Sequence, residues 1–331
     1  MLSPAQFARR CGPFRIATWT PSTVTLVVLL ALAGARSALA LQLRMAAGSV
    51  VVVDGDVELA TYRFRDPAIP RPYFCTLLAP SGLQVTRNHP PRPNVDPVDH
   101  DTFHPGLWLA FGDLDGADSW RLKAPVVHER FSDPPRVASD TVTWTAINQY
   151  LRDDRQTPIC RETNRIVLAR RPHGVLLIWD SIFRGERGFY FGDQEELGLG
   201  TRVATPIAVK QGGRLVNSAG GVNEPQVWGK QADWCAYQGQ IEDHHVGIVI
   251  MPHPENFRRC WFHARDYGFM AANPFGRQAF TGEEKSRVDV RPGEDFRLRY
   301  GVFWYDSGQE QLDLPAIYDD YLKVEADIQG P

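Results

Sequence analysis

Residues 99–120 hold the chain's densest set of groups able to do chemistry: His100 and His104, five aspartates, Trp108 and Trp120. Imidazoles titrate near neutral pH, so such a pair can divide acid and base roles or ligate a metal. Polar groups set between large aromatic faces suit a pocket for a polar ligand. The spacing of four is also that of a metalloprotease helix. However, Pro105-Gly106 reads as a loop entering a strand, and no glutamate lies between the histidines in the required place.

Three further stretches carry candidate groups. In residues 191–200, Glu195 and Glu196 are adjacent, and neighbours in an extended chain point to opposite faces, so one of them meets any given pocket. Gly192, Gly198 and Gly200 allow close approach of backbone or ligand, but their spacing is not that of a phosphate-binding loop. In residues 261–268, a strand would put Trp261, His263 and Arg265 on one face, a wall suited to a sugar or a carboxylate, with Asp266 at its rim. Trp228-Gly229-Lys230 and Trp234 form a weaker group, where an indole either stacks on a sugar ring or fills the core. Each stretch also has a plain structural reading as loop, solvated turn or core, and His244-His245 beside Glu242-Asp243 is read as a solvated turn. No G-x-S-x-G nucleophile motif occurs, and only Arg259 beside Cys260 hints at an activated thiol.

The elements that must position these groups read as strands. Two flank the Asp54-Gly55 turn, and others are predicted at residues 73–78, 107–111, 126–131, 140–150, 162–170, 174–184, 188–191 and 202–210. Strands at 246–251, 260–265, 287–290 and 296–304 continue the series. Residues 88–97 contain four prolines and are predicted to be a loop that delivers the histidine segment. Only the tail has helical spacing: after Leu314-Pro315, residues Ile317, Tyr318, Tyr321 and Leu322 share a face. The expected fold is an all-β, large antiparallel β-sandwich with one short C-terminal helix.

Arg9, Arg10 and Arg15, the apolar run 24–34 and Ala38-Leu39-Ala40 have the form of a secretory signal cut after Ala40. The run is shorter than the roughly twenty residues that span a bilayer. The expectation is an exported protein, periplasmic or extracellular, with residues 41–331 as one domain and no membrane span once the signal is gone. Removal of residues 1–40 takes four arginines and no acid, moving the formal charge from −3 to −7. That balance argues against nucleic acid, whose phosphates need a basic surface. Cys75, Cys160, Cys235 and Cys260 remain, without C-x-x-C spacing, and fit either one bridge or four buried thiols.

The ordered segments resemble the PmoA-like family of exported bacterial proteins found in planctomycetes. The matching stretches are Arg71-Pro72-Tyr73, Thr86-Arg87-Asn88, Asp99-His100 through Trp108, Phe191-Gly192-Asp193 through Arg202-Val203, Trp228-Gly229-Lys230, residues 263–268 and residues 272–276. The sequence departs from the commoner Asp-His-Pro-His-His-Arg-Gly form at Phe103 and Pro105. The resemblance places Glu196 on the recurring glutamate. It implies a galactose-mutarotase-like sandwich that handles carbohydrates. The family name refers to a multi-span membrane subunit, which a chain with one short apolar run does not match.

The resulting expectation is a carbohydrate isomerase, epimerase or lyase. His100 or His104 would be the acid, Glu196 the base and His263 a further catalytic group. Asp99, Trp108, Asp193, Arg202, Lys230, Trp234, Trp261, Arg265 and Asp266 would contact the ligand. A non-catalytic glycan-binding module is one alternative. A divalent-metal enzyme using His100, His104 and His263 is the other.

Overall fold

The structure is a computed structural model that describes residues 41–308 and 310–329, so the expected signal segment lies outside the described residues. Alternation along Thr141–Leu151 shows how the sequence selects sheet. Val142, Trp144 and Ala146 are buried while Thr141, Thr143 and Thr145 are only partly covered, the period-2 pattern of a strand with one wet face. Nineteen strands occur among the described residues.

Nine make one sheet, in the order Gln42–Ala46, Ser49–Asp54, Val57–Arg63, Tyr73–Leu77, Leu107–Phe111, Leu197–Arg202, Phe269–Asn273, Trp261–Arg265 and Lys230–Gln231. Eight make another: Arg214–Asn217, Cys235–Ile241, His244–Pro252, Phe296–Asp306, Gly174–Arg184, Pro158–Arg171, Thr141–Leu151 and Val126–Ala138. Phe189–Phe191 and Val288–Val290 pair separately, and the pairings are antiparallel throughout. The expected large antiparallel β-sandwich is what the chain forms.

One core joins the two sheets. Val52, Leu109, Phe111, Leu199 and Phe262 of the first lie in a cluster with Trp144, Ile166, Leu177, Ile248 and Trp304 of the second. Each fully buried aliphatic or Phe side chain contributes about 1.5–3 kcal/mol relative to exposure. The outer face of the eight-stranded sheet is covered by the helix Leu314–Gln329, whose Tyr321 packs with Val249, Phe303 and Tyr305. A third cluster, including Tyr73, Trp108, Trp120 and Phe269, covers the outer face of the nine-stranded sheet.

Several elements differ from expectation. The predicted strand over 202–210 is replaced by two short 3-10 turns, Thr205–Ile207 and Val209–Gln211, because Pro206 cannot donate to a ladder. Short helices at Asn223–Val227 and Arg277–Thr281 join the C-terminal one. His244 and His245 open a strand and do not form a solvated turn; His244 Nδ1 lies 2.9 Å from Asp306. The four cysteines beyond residue 40 are all buried free thiols.

The central strand Leu197–Arg202 escaped the sequence reading because its glycines hide the period-2 pattern. They are there for sterics: Gly198 has φ +101°, and a Cβ on it would sit 2.0 Å from the Ala272 carbonyl oxygen. Gly198→Ala is expected to lower stability by about 2–4 kcal/mol, combining a forbidden φ with a backbone clash. Gly55→Ala has a positive φ but open space around it, and should cost only about 1 kcal/mol. Equal melting temperatures for the two variants would contradict this reading.

Candidate functional site

Pairing register decides which side chains share the outer face of the nine-stranded sheet. Tyr73, Trp108, Gly200, Ala271 and His263 are paired in succession and form one row across five strands. Strands lie about 4.8 Å apart, so Trp108 and His263 are roughly 14 Å from each other. The next row carries Arg202, Phe269 and Arg265. His104 and His263 therefore approach one aromatic ring from different sides. His104 stacks on Phe269 at 4.6 Å between centroids, and His263 meets it edge-on at 4.9 Å.

The proline-rich loop is anchored by buried arginines. Arg87 donates to the carbonyls of Pro97 (2.8 Å), Asp99 (2.7 Å), His100 (3.2 Å) and His104 (3.2 Å). Arg71 donates to the Ser119 and Trp120 carbonyls at 3.0 and 2.7 Å and contacts that of Phe103. Arg202 grips Asp99 through two bonds of 2.8 and 3.0 Å and lies 4.3 Å from the Tyr267 ring centre. Burial alone would raise the Asp99 carboxyl, but hydrogen bonds from Arg202 and His100 and the charges of Arg202 and Arg87 hold it far below the usual range.

These contacts change what the first histidines can do. His104 is 4 % exposed, stacked against Trp108 at 4.9 Å and covered by His100 at 4.7 Å. Burial, then the charges of His100 and nearby arginines, pushes its pKa well down, so it is a neutral member of an aromatic stack. Trp108 lies beneath it and is fully buried, which closes the indole to a ligand. His100 is exposed, with Nδ1 2.8 Å from Asp99.

A second cluster is more open. His263 Nδ1 lies 3.2 Å from the Glu195 carbonyl oxygen and its Nε2 lies 3.4 Å from Glu195 Oε2. Arg265 reaches the same Oε2 at 3.2 Å and Glu224 at 3.3 Å. Asn273, fully buried, fixes the loop by donating to the Gln194 and Glu195 carbonyls at 2.7 and 3.1 Å. Burial and the Arg265 charge push His263 down to about 3, although its bond to the Glu195 carbonyl acts the other way. Beside this cluster is a cleft of about 350 Å³ lined by Glu224, Pro225, Trp228, Arg265 and Asp266.

The remaining expected groups disperse. Glu196 sits against Arg121, which also bonds Asp118 at 3.0 Å, and so faces away from His263. Asp193 is buried and accepts the backbone N–H groups of Gln278, Ala279 and Ser286, which assigns it to holding the Arg277–Thr281 turn. Lys230 pairs with Phe262, whose side chain enters the core, so it is on the wrong face for His263. Trp234 packs against the cluster under the C-terminal helix, on the other sheet. Trp261 shares the face of His263 but is 7 % exposed beneath Arg258 and Phe280. The Asp266 carboxylate accepts the Glu224 backbone N–H, and the Glu224 carboxylate accepts that of Asp266, each at 2.9 Å. Among the described residues no group of three His, Cys, Asp or Glu is arranged to hold a metal, so His100, His104 and His263 do not assemble as a ligand set. Sequence reasoning passed over Glu224 altogether and preferred Glu196 to Glu195; nothing local marks which glutamate turns toward residue 263.

Of the histidines that burial depresses, His104 and His263 shift furthest and contribute most to acid sensitivity. Each is neutral when folded but takes a proton near pH 6.5 when unfolded, so the unfolded state binds more protons between that value and the folded pKa. Their contribution to stability is therefore full above about pH 6.5 and is lost as the pH falls, down to about 3 for His263, by up to about 1.4 kcal/mol per pH unit for each histidine. His104→Phe keeps the stack and is expected to flatten the curve of unfolding free energy against pH. An unchanged slope would contradict the assignment.

The model of a family of unknown function, DUF6807, matches residues 49–319. The chain belongs to that family. The PmoA-like designation expected from the sequence is not borne by this match. No curated protein matches the DUF6807 chain significantly. Among solved structures it is similar to an α-galactosidase from Lactobacillus brevis, at 7 % identity and TM-score 0.43 over 81 % of this chain and 40 % of the other. It is also similar to a putative aldose 1-epimerase from Escherichia coli K12 (8 %, TM-score 0.36, 81 % and 99 % covered). A galactose mutarotase-like protein from Clostridium acetobutylicum gives 9 %, TM-score 0.37, and 82 % and 99 %. The chain spans about two fifths of the α-galactosidase. No helix among the described residues is long and apolar enough to cross a membrane.

Proposed function

We propose that this DUF6807 chain binds a carbohydrate or sugar derivative beside Glu195, His263 and Arg265 and moves a proton there, as an isomerase, epimerase or lyase does. The observation that carries this is the facing of Glu195 Oε2 and His263 Nε2 at 3.4 Å. A carbonyl oxygen only accepts, so the contact of His263 Nδ1 with the Glu195 carbonyl requires the ring's proton on Nδ1. In the neutral ring Nε2 is then a bare acceptor opposite a carboxylate oxygen. Two acceptors so placed have no hydrogen between them, and a ligand hydroxyl supplies one. Glu195 can take that hydroxyl proton and hand it to a second ligand atom while Nε2 accepts a bond from a neighbouring hydroxyl, which is the exchange that ring opening, epimerisation and elimination need.

The adjoining cleft suits such a ligand. Its volume is in the range of small-molecule sites, and the partly exposed Trp228 offers an apolar wall for the C–H face of a ring. Arg265 is shared between Glu195 and Glu224, with Asp266 alongside, so the rim has no unpaired cation to draw in an anion. Neutral sugars fit better than uronates. The proposed setting is outside the cytoplasm, on the strength of the apolar run and Ala38-Leu39-Ala40.

The test is to incubate the protein with a panel of free aldoses and ketoses and follow anomers and epimers by NMR. Interconversion above the buffer rate, abolished in Glu195→Gln, is the expected result. Saturable binding without turnover would favour the glycan-binding module, and no binding at all would remove the proposal.

A further inference from the structure

We infer a second binding site, for a neutral polyhydroxylated ligand such as an oligosaccharide, in a cleft on the outer face of the eight-stranded sheet. The cleft measures about 770 Å³ and lies away from Glu195 and His263; Arg214, Gln238, Gln240 and His245 contribute to its lining. It is larger than the cleft beside Trp228, and the reactive groups of the first site do not enter it.

The register shows how it is built. Arg214, Gln238, Gly247 and Tyr305 are successive partners in one row, and Gln240 pairs with His245 in the next. A Cβ on Gly247 would fall 2.5 Å from the Tyr305 ring and hydroxyl. Glycine there lets the phenol lie across the strand, where its hydroxyl donates to Gln238 Oε1 at 3.3 Å. Gln238 is 7 % exposed, so this bond orients a buried amide and fixes Nε2 as its donor end. His245 stands beside the same ring, 6.0 Å between centroids, and its buried Nδ1 has no hydrogen-bond partner.

The chemistry of the lining selects the ligand. A side-chain amide offers a donor and an acceptor, and so does a hydroxyl, so glutamines match a polyol group for group. Gln211, Gln238, Gln240 and Gln311 all line this cleft. Its charges are Arg214 against Glu242 and Asp243, a balance that disfavours anions. The site rests on its own residues and stands whether or not the Glu195 cleft turns over a substrate.

Lactose, cellobiose and maltose titrated into the ¹⁵N-labelled chain test it, read through glutamine side-chain amide signals and by calorimetry. The expected result is saturable binding that weakens at least tenfold in Arg214→Ala/Gln240→Ala, two exposed positions whose loss leaves the core intact. The same binding should persist in Glu195→Gln. Absence of saturation with all three sugars would overturn the inference, as would full affinity in the double variant or loss of binding in Glu195→Gln. Tighter binding of galacturonate than of galactose would overturn the assignment to neutral ligands.

Discussion

Glu195→Gln is expected to lower turnover of the responsive sugar by about 10²–10⁴-fold, the usual cost of losing a proton-transfer group. His263→Gln should fall in the same range, and the double variant should be little worse than the stronger single, because groups acting as one unit are not additive. The loss should lie in kcat more than KM, since the amide still hydrogen-bonds a hydroxyl but cannot take its proton. Stability should change little in Glu195→Gln, whose side chain is 37 % exposed. Glu196→Gln gives the contrast: it loosens Arg121 while leaving the His263 pair in place, so kcat should stay within a few-fold of wild type. Steady-state kinetics on the four variants checks the set. Full turnover in Glu195→Gln would end the proton-transfer account.

Arg87→Met is expected to cost about 3–5 kcal/mol of unfolding free energy, the largest stability effect anticipated for this molecule. The guanidinium is 1 % exposed and bonds four carbonyls of residues 97–104, and the Asp99 carboxylate lies 3.7 Å away. Its removal strands those acceptors and leaves Asp99 to Arg202 and His100, and each unsatisfied buried group costs about 1–3 kcal/mol. Methionine fills much of the same volume, so the loss reports polar contacts and not a cavity. Urea unfolding measures it. A change below about 1 kcal/mol would mean that the loop is held by something else.

The strands were legible where burial on one face imposed alternation, as in Thr141–Leu151, or where turn dipeptides bounded them, as at Asp54-Gly55. They were illegible where sterics chose glycine over β-formers, as in Leu197–Arg202, and where pairing partners supply the stability that a two-residue strand such as Lys230–Gln231 lacks. The candidate site divides in the same way. The shared face of His263 and Arg265 follows from period two alone, and it holds. The fate of the residue 99–108 segment does not, because it depends on Arg71, Arg87 and Arg202, which are distant in sequence. They pull the segment onto the sheet and bury His104 over Trp108. Which of two adjacent glutamates meets His263 is likewise set by Asn273 holding the loop, a long-range contact with no local signature.

The central claim is that His263 is a neutral imidazole protonated on Nδ1, with Nε2 open toward Glu195. Imidazole ¹⁵N chemical shifts of the selectively labelled protein measure this directly at pH 7, without and with a sugar that binds. The account predicts a protonated Nδ1 and a bare Nε2 in the free protein, and movement of the Nε2 signal when a hydroxyl donates to it. An Nε2–H tautomer, an imidazolium, or an Nε2 signal indifferent to the bound sugar would contradict it.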